Sequence, residues 1–221
     1  MKFTRSCFAA AVLAASAPAF AVTTPTLTFE GVTSFLSVAD YYLNVGADFG
    51  VQFGLDAIAV SNDGTGSVTP ANPDGNFYSH APSSGTVLQV APNGGTDVAF
   101  LTPRAGLFFV DEVSFYYSTS KSSLDAVQFF SGANGSAELL GALSLSKNAT
   151  LLCNDSPYCN WQRISLTFPG LAQSIMIRSN GGETAFDNFT LTTAVPEPET
   201  YAMPLAGLAA LGWVAKRQQR R

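Results

Sequence analysis

The chain has 221 residues, 47% of them hydrophobic and only 12% charged, with 19 Gly and 12 Pro. Such a chain buries a core rather than staying disordered, and its scattered Gly and Pro exclude a collagen-like repeat. Of its 16 acids, 14 lie between residues 22 and 195, against five bases there (Arg104, Lys121, Lys147, Arg163, Arg178), so this acidic surface repels phosphate backbones and no nucleic-acid partner is expected.

The N-terminus reads as an address. Met1-Lys2-Phe3-Thr4-Arg5 is basic, Cys7 to Ala15 is apolar, and Ala19-Phe20-Ala21 is a small-residue exit. These are the three parts of a secretory signal peptide, predicted as a helix over residues 1–21 with cleavage after Ala21. An apolar run of about 10 residues is too short to span about 30 Å of hydrocarbon.

Residues 22–194 show little helical periodicity. Period-two alternation recurs instead: Leu27 and Phe29 around Thr28, then Val113, Phe115 and Tyr117 around Ser114 and Tyr116, then Ile164, Leu166 and Phe168 around Ser165 and Thr167. Further strands are expected at Val51–Phe53, Ala57–Val60, Thr86–Val90, Val98–Leu101, Ala126–Phe130, Leu139–Leu145, Ser174–Arg178 and Phe186–Thr192. Turn chemistry separates them at Asn62-Asp63-Gly64, Pro73-Asp74-Gly75, Asn93-Gly94-Gly95, Gly132-Ala133-Asn134-Gly135 and Asn180-Gly181-Gly182. Many short strands without crossover helices predict an all-β, antiparallel two-sheet sandwich, jelly-roll-like, occupying residues 22–194.

The chemistry that the composition allows is narrow. Three Cys and a single His rule out the usual four-ligand zinc cluster. No Gly-x-Ser-x-Gly elbow exists, and His80 lies on a loop beside Ala81-Pro82. Most acids stand in turn contexts, and adjacent Asp111 and Glu112 point to opposite faces of a strand. No catalytic residue and no required cofactor is therefore assigned, and a polysaccharide hydrolase or lyase is the least favoured reading. Cys153 and Cys159 close a short turn-rich loop, and in an exported chain they are expected to form a disulfide. Adjacent aromatic pairs place one ring on each strand face. Tyr42, Tyr78, Tyr116 and Trp161 are the candidates for a platform on which sugar rings stack.

Two acids mark the ends of this region. Phe29-Glu30-Gly31 ends the first strand and Phe186-Asp187-Asn188-Phe189 opens the last. This layout resembles carbohydrate-binding jelly rolls, in which such a pair shares a structural calcium. The resemblance implies that Glu30 and Asp187 hold one Ca²⁺, an ion that takes six to eight oxygens.

The C-terminus reads Val195-Pro196-Glu197-Pro198, then about 15 mostly apolar residues from Tyr201 to Ala215, then Lys216-Arg217-Gln218-Gln219-Arg220-Arg221. Chemically this is a rigid spacer, a marginal transmembrane helix and a basic anchor that stays cytoplasmic. Residues 195–221 resemble the PEP-CTERM sorting signal of exopolysaccharide-producing Gram-negative bacteria, with Pro196, Glu197 and Pro198 as the motif and Lys216, Arg217, Arg220 and Arg221 as the anchor. Gln52-Phe53-Gly54-Leu55-Asp56 is similar to a Gln-Phe-x-x-Asp element of one subgroup. The resemblance implies processing by an exosortase after transient residence in the inner membrane, then release to the outer surface or the biofilm matrix. The reading is an exported, non-enzymatic β-sandwich that binds extracellular polysaccharide, with a structural or adhesive matrix protein as its alternative.

Overall fold

The computed structural model describes residues 20–61, 78–83, 85–90, 97–149 and 158–196, together with helical positions 207–208, 213 and 216–217. Among the described residues the strands are β1 (Phe20–Thr23), β2 (Thr26–Leu27), β3 (Val51–Phe53), β4 (Ala57–Ser61), β5 (Thr86–Val90), β6 (Val98–Pro103), β7 (Phe108–Thr119), β8 (Ser123–Phe130), β9 (Leu139–Leu145), β10 (Gln162–Thr167), β11 (Ser174–Arg178) and β12 (Thr184–Pro196). They form two antiparallel sheets. One has the order β10-β7-β12-β5-β4, with β1 and β2 also on β12; the other has the order β3-β6-β11-β8-β9. The architecture is the all-β sandwich that the alternation predicted, and residues 22–195 form one compact unit.

The alternation becomes a core because one face of every strand is apolar. Phe115, Tyr117, Phe186, Phe189, Leu88 and Ala59 from the larger sheet meet Phe53, Leu101, Ile175, Phe129 and Leu145 from the smaller. Phe189 stacks on Phe115 with centroids 4.7 Å apart, and Phe29 meets Phe189 edge-on at 6.3 Å and Phe53 at 5.8 Å. Such ring pairs add about 0.5–1.5 kcal/mol each beyond the area they bury.

A second apolar layer covers part of the outward face of the larger sheet. Val60, Val87 and Ala185, at the outward positions of β4, β5 and β12, pack under Tyr78, Ala149 and Tyr158, with Trp161 at the margin. Two of the expected platform rings are interior. Tyr78 is only 2% exposed because it roofs that layer, its hydroxyl donating to the carbonyls of Val60 and Gly85. Tyr42 is 3% exposed because Tyr41–Val45 coils into a π-helical turn rather than a strand, which sends its ring into the core beside Phe29 and Phe53.

The termini also differ from expectation. Phe20 and Ala21, read as the end of a signal helix, are extended in β1. The β-branched Val22-Thr23 favours pairing on β12, where Thr23 Oγ1 meets Thr193 Oγ1 at 2.8 Å. Ala19 lies outside the described residues, as do Cys153, Glu197, Pro198, Arg220 and Arg221. Pro196 is the last residue of β12, and Lys216 and Arg217 are helical, with the Arg217 guanidinium 5.2 Å from the Trp213 ring. Among the described residues no helix is long and apolar enough to cross a membrane. In the Gln52–Asp56 element the strand stops at Phe53, so Leu55 turns outward and is 73% exposed rather than sharing the buried face of Phe53.

Candidate functional site

Glu30 and Asp187 are brought together where β12 changes partners. Along one edge β5 pairs Ala185 and Phe186, whereas β2 pairs Phe189 and Thr190. Between them the ladder with β7 shifts register after Asp187, with Asn188 at φ 49°. The turn at Ser83 fills the gap. The Asp187 carboxylate accepts from Ser83 N–H (2.7 Å), the Ser83 hydroxyl (2.7 Å) and Asn188 N–H (2.7 Å). Glu30 Oε1 accepts from the N–H groups of Gly85 (2.8 Å) and Thr86 (3.0 Å).

The junction is rich in oxygen and short of protons. Ser83 Oγ has a single hydrogen, yet three acceptors surround it: Asp187 Oδ1 at 2.7 Å, Thr28 O at 3.1 Å and Thr86 O at 3.4 Å. The buried amide oxygen of Asn188 has no hydrogen-bond partner. Burial, and to a smaller degree the neighbouring Glu30 charge, hold the Asp187 carboxyl above the usual carboxylate range despite its donors. Two carboxylates, two carbonyls and a hydroxyl meet at this junction, the oxygen-rich kind of donor set that a hard cation takes. They do not suit zinc, and among the described residues no group of three or more His, Cys, Asp and Glu converges.

The platform residues divide. Tyr42 and Tyr78 are interior, whereas Tyr116 and Trp161 are half-buried on the same outward face of the larger sheet. Tyr116 on β7 lies directly opposite Arg163 on β10, and Trp161 immediately precedes β10. Residues two apart share a strand face, so Trp161 and Arg163 both point outward. Trp161 stands one residue before β10, the strand that faces Tyr116, and packs at the margin of the second apolar layer. Its indole N–H donates to Ser79 O at 2.9 Å, and its ring meets Tyr78 edge-on at 6.2 Å, which fixes it upright at the margin of the second apolar layer.

Below this pair runs a row of hydroxyls, with Ser165, Ser114, Thr190 and Thr26 in register across β10, β7, β12 and β2. The Arg163 guanidinium reaches diagonally to Ser114, Nη2 donating to Oγ at 2.8 Å. The aromatic pairs in the sequence signalled Tyr116, but nothing in its local pattern showed that Arg163 would stand opposite it. The outward face of the smaller sheet is partly covered. Its Phe100 and Phe130 lie under the 3-10 turn Ala133–Gly135, so closely that a Cβ on Gly135 would stand 2.9 Å from the Phe100 ring.

Residues 194–221 match the PEP-CTERM protein-sorting motif. No curated protein matches the chain. Among solved structures it is similar to the K2 cleaved adhesin domain of Lys-gingipain (12% identity, TM-score 0.50, covering 76% of this chain and 99% of that one). It is also similar to the K1 cleaved adhesin domain of Lys-gingipain from Porphyromonas gingivalis W83 (10%, 0.43, 79% and 99%). A third is a family 29 carbohydrate-binding module from Piromyces equi (10%, 0.40, 77% and 90%). The likeness to the K2 domain, over 76% of this chain, speaks for its fold alone. The motif marks the chain for export and exosortase processing. The chain is a β-sandwich protein that carries a PEP-CTERM protein-sorting motif at residues 194–221.

Proposed function

We propose that residues 22–195 are a non-enzymatic glycan-binding domain, delivered by exosortase processing to the outer surface or the extracellular polysaccharide matrix. The observation that carries this reading is the half-exposed Tyr116–Trp161 pair above a floor of strand hydroxyls. Aromatic faces supply apolar area for a sugar ring, while hydroxyls and guanidinium meet its rim. The test is affinity electrophoresis of residues 22–195 in gels containing the exopolysaccharide of the producing bacterium. The wild-type domain is retarded, and Tyr116→Ala lowers affinity about tenfold or more with an unchanged melting temperature. Equal mobility with and without the polysaccharide overturns the reading.

The same proposal includes a structural Ca²⁺ held by Glu30, Asp187, the carbonyls of Thr28 and Thr86, Ser83 and the Asn188 amide oxygen. The ion would neutralise two neighbouring carboxylates and tie β2, β5 and β12 together. It also includes a Cys153–Cys159 disulfide, which would staple the short loop two residues before Trp161.

A second reading, adhesion through other proteins, rests on Phe35 and Leu36, which pair with the edge strand β4 while 44% and 57% exposed. Replacing both with Ser abolishes capture of partner proteins if that reading holds and leaves glycan retardation intact.

A further inference from the structure

Resting on the glycan-binding reading above, we infer that the ligand of this face carries a carboxylate, as a uronate-bearing polysaccharide does, and that Arg163 receives it. Of the five bases between residues 22 and 195, Arg104 pairs with Asp48 at 3.2 Å and Lys121 with Glu183 at 3.0 Å. Arg163 has no carboxylate partner among the described residues; its one bond is to the neutral Ser114 hydroxyl. Lys147 and Arg178 also have no carboxylate partner among the described residues, so what distinguishes Arg163 is its place beside Tyr116.

Its placement is also specific. Arg163 is opposite Tyr116 and shares an outward face with Trp161, so a sugar ring lying against the aromatic pair brings its substituents to the guanidinium. The bond to the nearly buried Ser114 holds the side chain down along the sheet, which removes part of the rotamer freedom that a loose arginine would lose on binding. One of its N–H groups is used there, and the rest of the planar fork is available for bidentate capture of a carboxylate. Asp187 of β12 stands opposite Tyr116 on the side away from Arg163, buried and occupied by Ser83 and Asn188, and Glu112, opposite Thr167, lies four register pairs from Arg163–Tyr116. The acidic domain gives a polyanion no diffuse attraction, so any preference for acidic glycan must come from a local contact of this kind.

The test uses residues 22–195 with gellan and with alginate, each polymer paired with its carboxyl-reduced form. Affinity is measured by isothermal titration for wild type, Arg163→Gln and Tyr116→Ala. Wild type is expected to bind at least one acidic polymer about tenfold or more tighter than its reduced counterpart. Arg163→Gln removes that preference while keeping affinity for the reduced polymer and the same melting temperature. Tyr116→Ala weakens acidic and reduced forms in the same proportion. Equal wild-type affinity for the acidic and reduced forms overturns the inference and leaves the glycan-binding reading standing. A preference that survives Arg163→Gln overturns the assignment to Arg163. A folded wild-type domain that binds none of the four polymers overturns the inference and the platform reading together.

Discussion

Removing calcium from residues 22–195 should lower the melting temperature, and pH should decide by how much. Asp187 is fully buried and Glu30 half-buried, and without a cation their two charges share one junction. A ligand bound only by the folded state stabilises it by about 2.7 kcal/mol at one hundred times its dissociation constant. In a domain of this size each kcal/mol moves the midpoint by about 2–4 °C, so saturating Ca²⁺ should raise it by about 5–11 °C. The isosteric pair Glu30→Gln with Asp187→Asn keeps acceptor oxygens for Ser83 and Gly85 but removes both charges, and should abolish the rise.

The pH dependence gives a second, independent reading. The folded-state pKa of Asp187 is raised, so the native protein holds that proton more tightly than the unfolded chain. With EDTA, this group therefore contributes stability that is lost as pH rises from the ordinary carboxylate range through the raised value. With Ca²⁺, which needs both carboxylates ionised, stability is lost in the same window as pH falls. Glu183, whose pKa is lowered chiefly by the Ser120 hydroxyl and then by Lys121, acts below the ordinary range, where stability is lost on acidification, so the two windows separate. Differential scanning fluorimetry between about pH 2 and 8, with EDTA and with about 1 mM Ca²⁺, reads both. Identical melting curves with and without calcium at neutral pH would refute the cation site, as would an undiminished shift in the double variant.

Three further outcomes follow from the packing. Phe189→Ala removes a fully buried ring that stacks on Phe115, and should cost about 3–5 kcal/mol in urea unfolding; a loss below about 1 kcal/mol would mean the core closes differently. Tyr42→Phe leaves the Phe29 N–H, now bonded to the Tyr42 hydroxyl at 2.6 Å, without an acceptor in the interior. Thermal melting should register about 1–3 kcal/mol, more than loss of a surface hydroxyl explains, because Phe29 holds a left-handed φ of 64° that this bond helps to fix. Cys159→Ser should cost about 2–3 kcal/mol, and non-reducing peptide mapping of the parent should show a Cys153–Cys159 crosslink.

Much of the sandwich was legible because short runs of β-branched and apolar residues stand between turn signals. Val51–Phe53, Thr86–Val90, Leu139–Leu145 and Ser174–Arg178 fall where the pattern placed them, and the Asn180-Gly181-Gly182 turn takes the positive φ its residue types allow. The edges were not legible. The flanks of β7 and β12 lack clean alternation because bulges at Asp111 and Asn188 interrupt it, so both strands run several residues beyond the pattern. β1 was hidden because its first two residues also satisfy a signal-peptide exit.

The candidate sites were legible in part. The resemblance to carbohydrate-binding jelly rolls pointed to Glu30 and Asp187, and the fold brings them to one junction, although Asp187 lies at a bulge inside β12 rather than at a strand end. Ser83, which joins them, stands 53 and 104 residues away with no local mark of its role. An adjacent aromatic pair shows that two rings diverge, but not which is interior. Tyr116 precedes the core ring Tyr117 on a regular strand and faces outward. Tyr42 follows Tyr41 on a π-helical turn, where strand parity does not apply.

The division of the larger sheet's outward face is the step that links fold to function. Over β4 and β5 its outward residues are apolar and lie under Tyr78 and Tyr158; over β7, β10 and β2 they are Ser114, Tyr116, Arg163, Ser165 and Thr26. A sheet that needed only a solvated face could carry any polar residues there. Here Ser114 is nearly buried and its hydroxyl is held by Arg163, so the floor is ordered before any ligand arrives. Trp161 stands at the border, with one edge in the dry layer and its indole N–H committed to Ser79, which spares it the entropy that a free aromatic loses when it stacks. Disturbing the apolar layer should therefore weaken binding through Trp161 even where no ligand contact is touched. Val87→Ala removes two methyl groups beneath that layer and leaves Tyr116 and Arg163 in place, and should lower affinity without abolishing it. Unchanged affinity in that variant would show that Trp161 is held by its hydrogen bond alone.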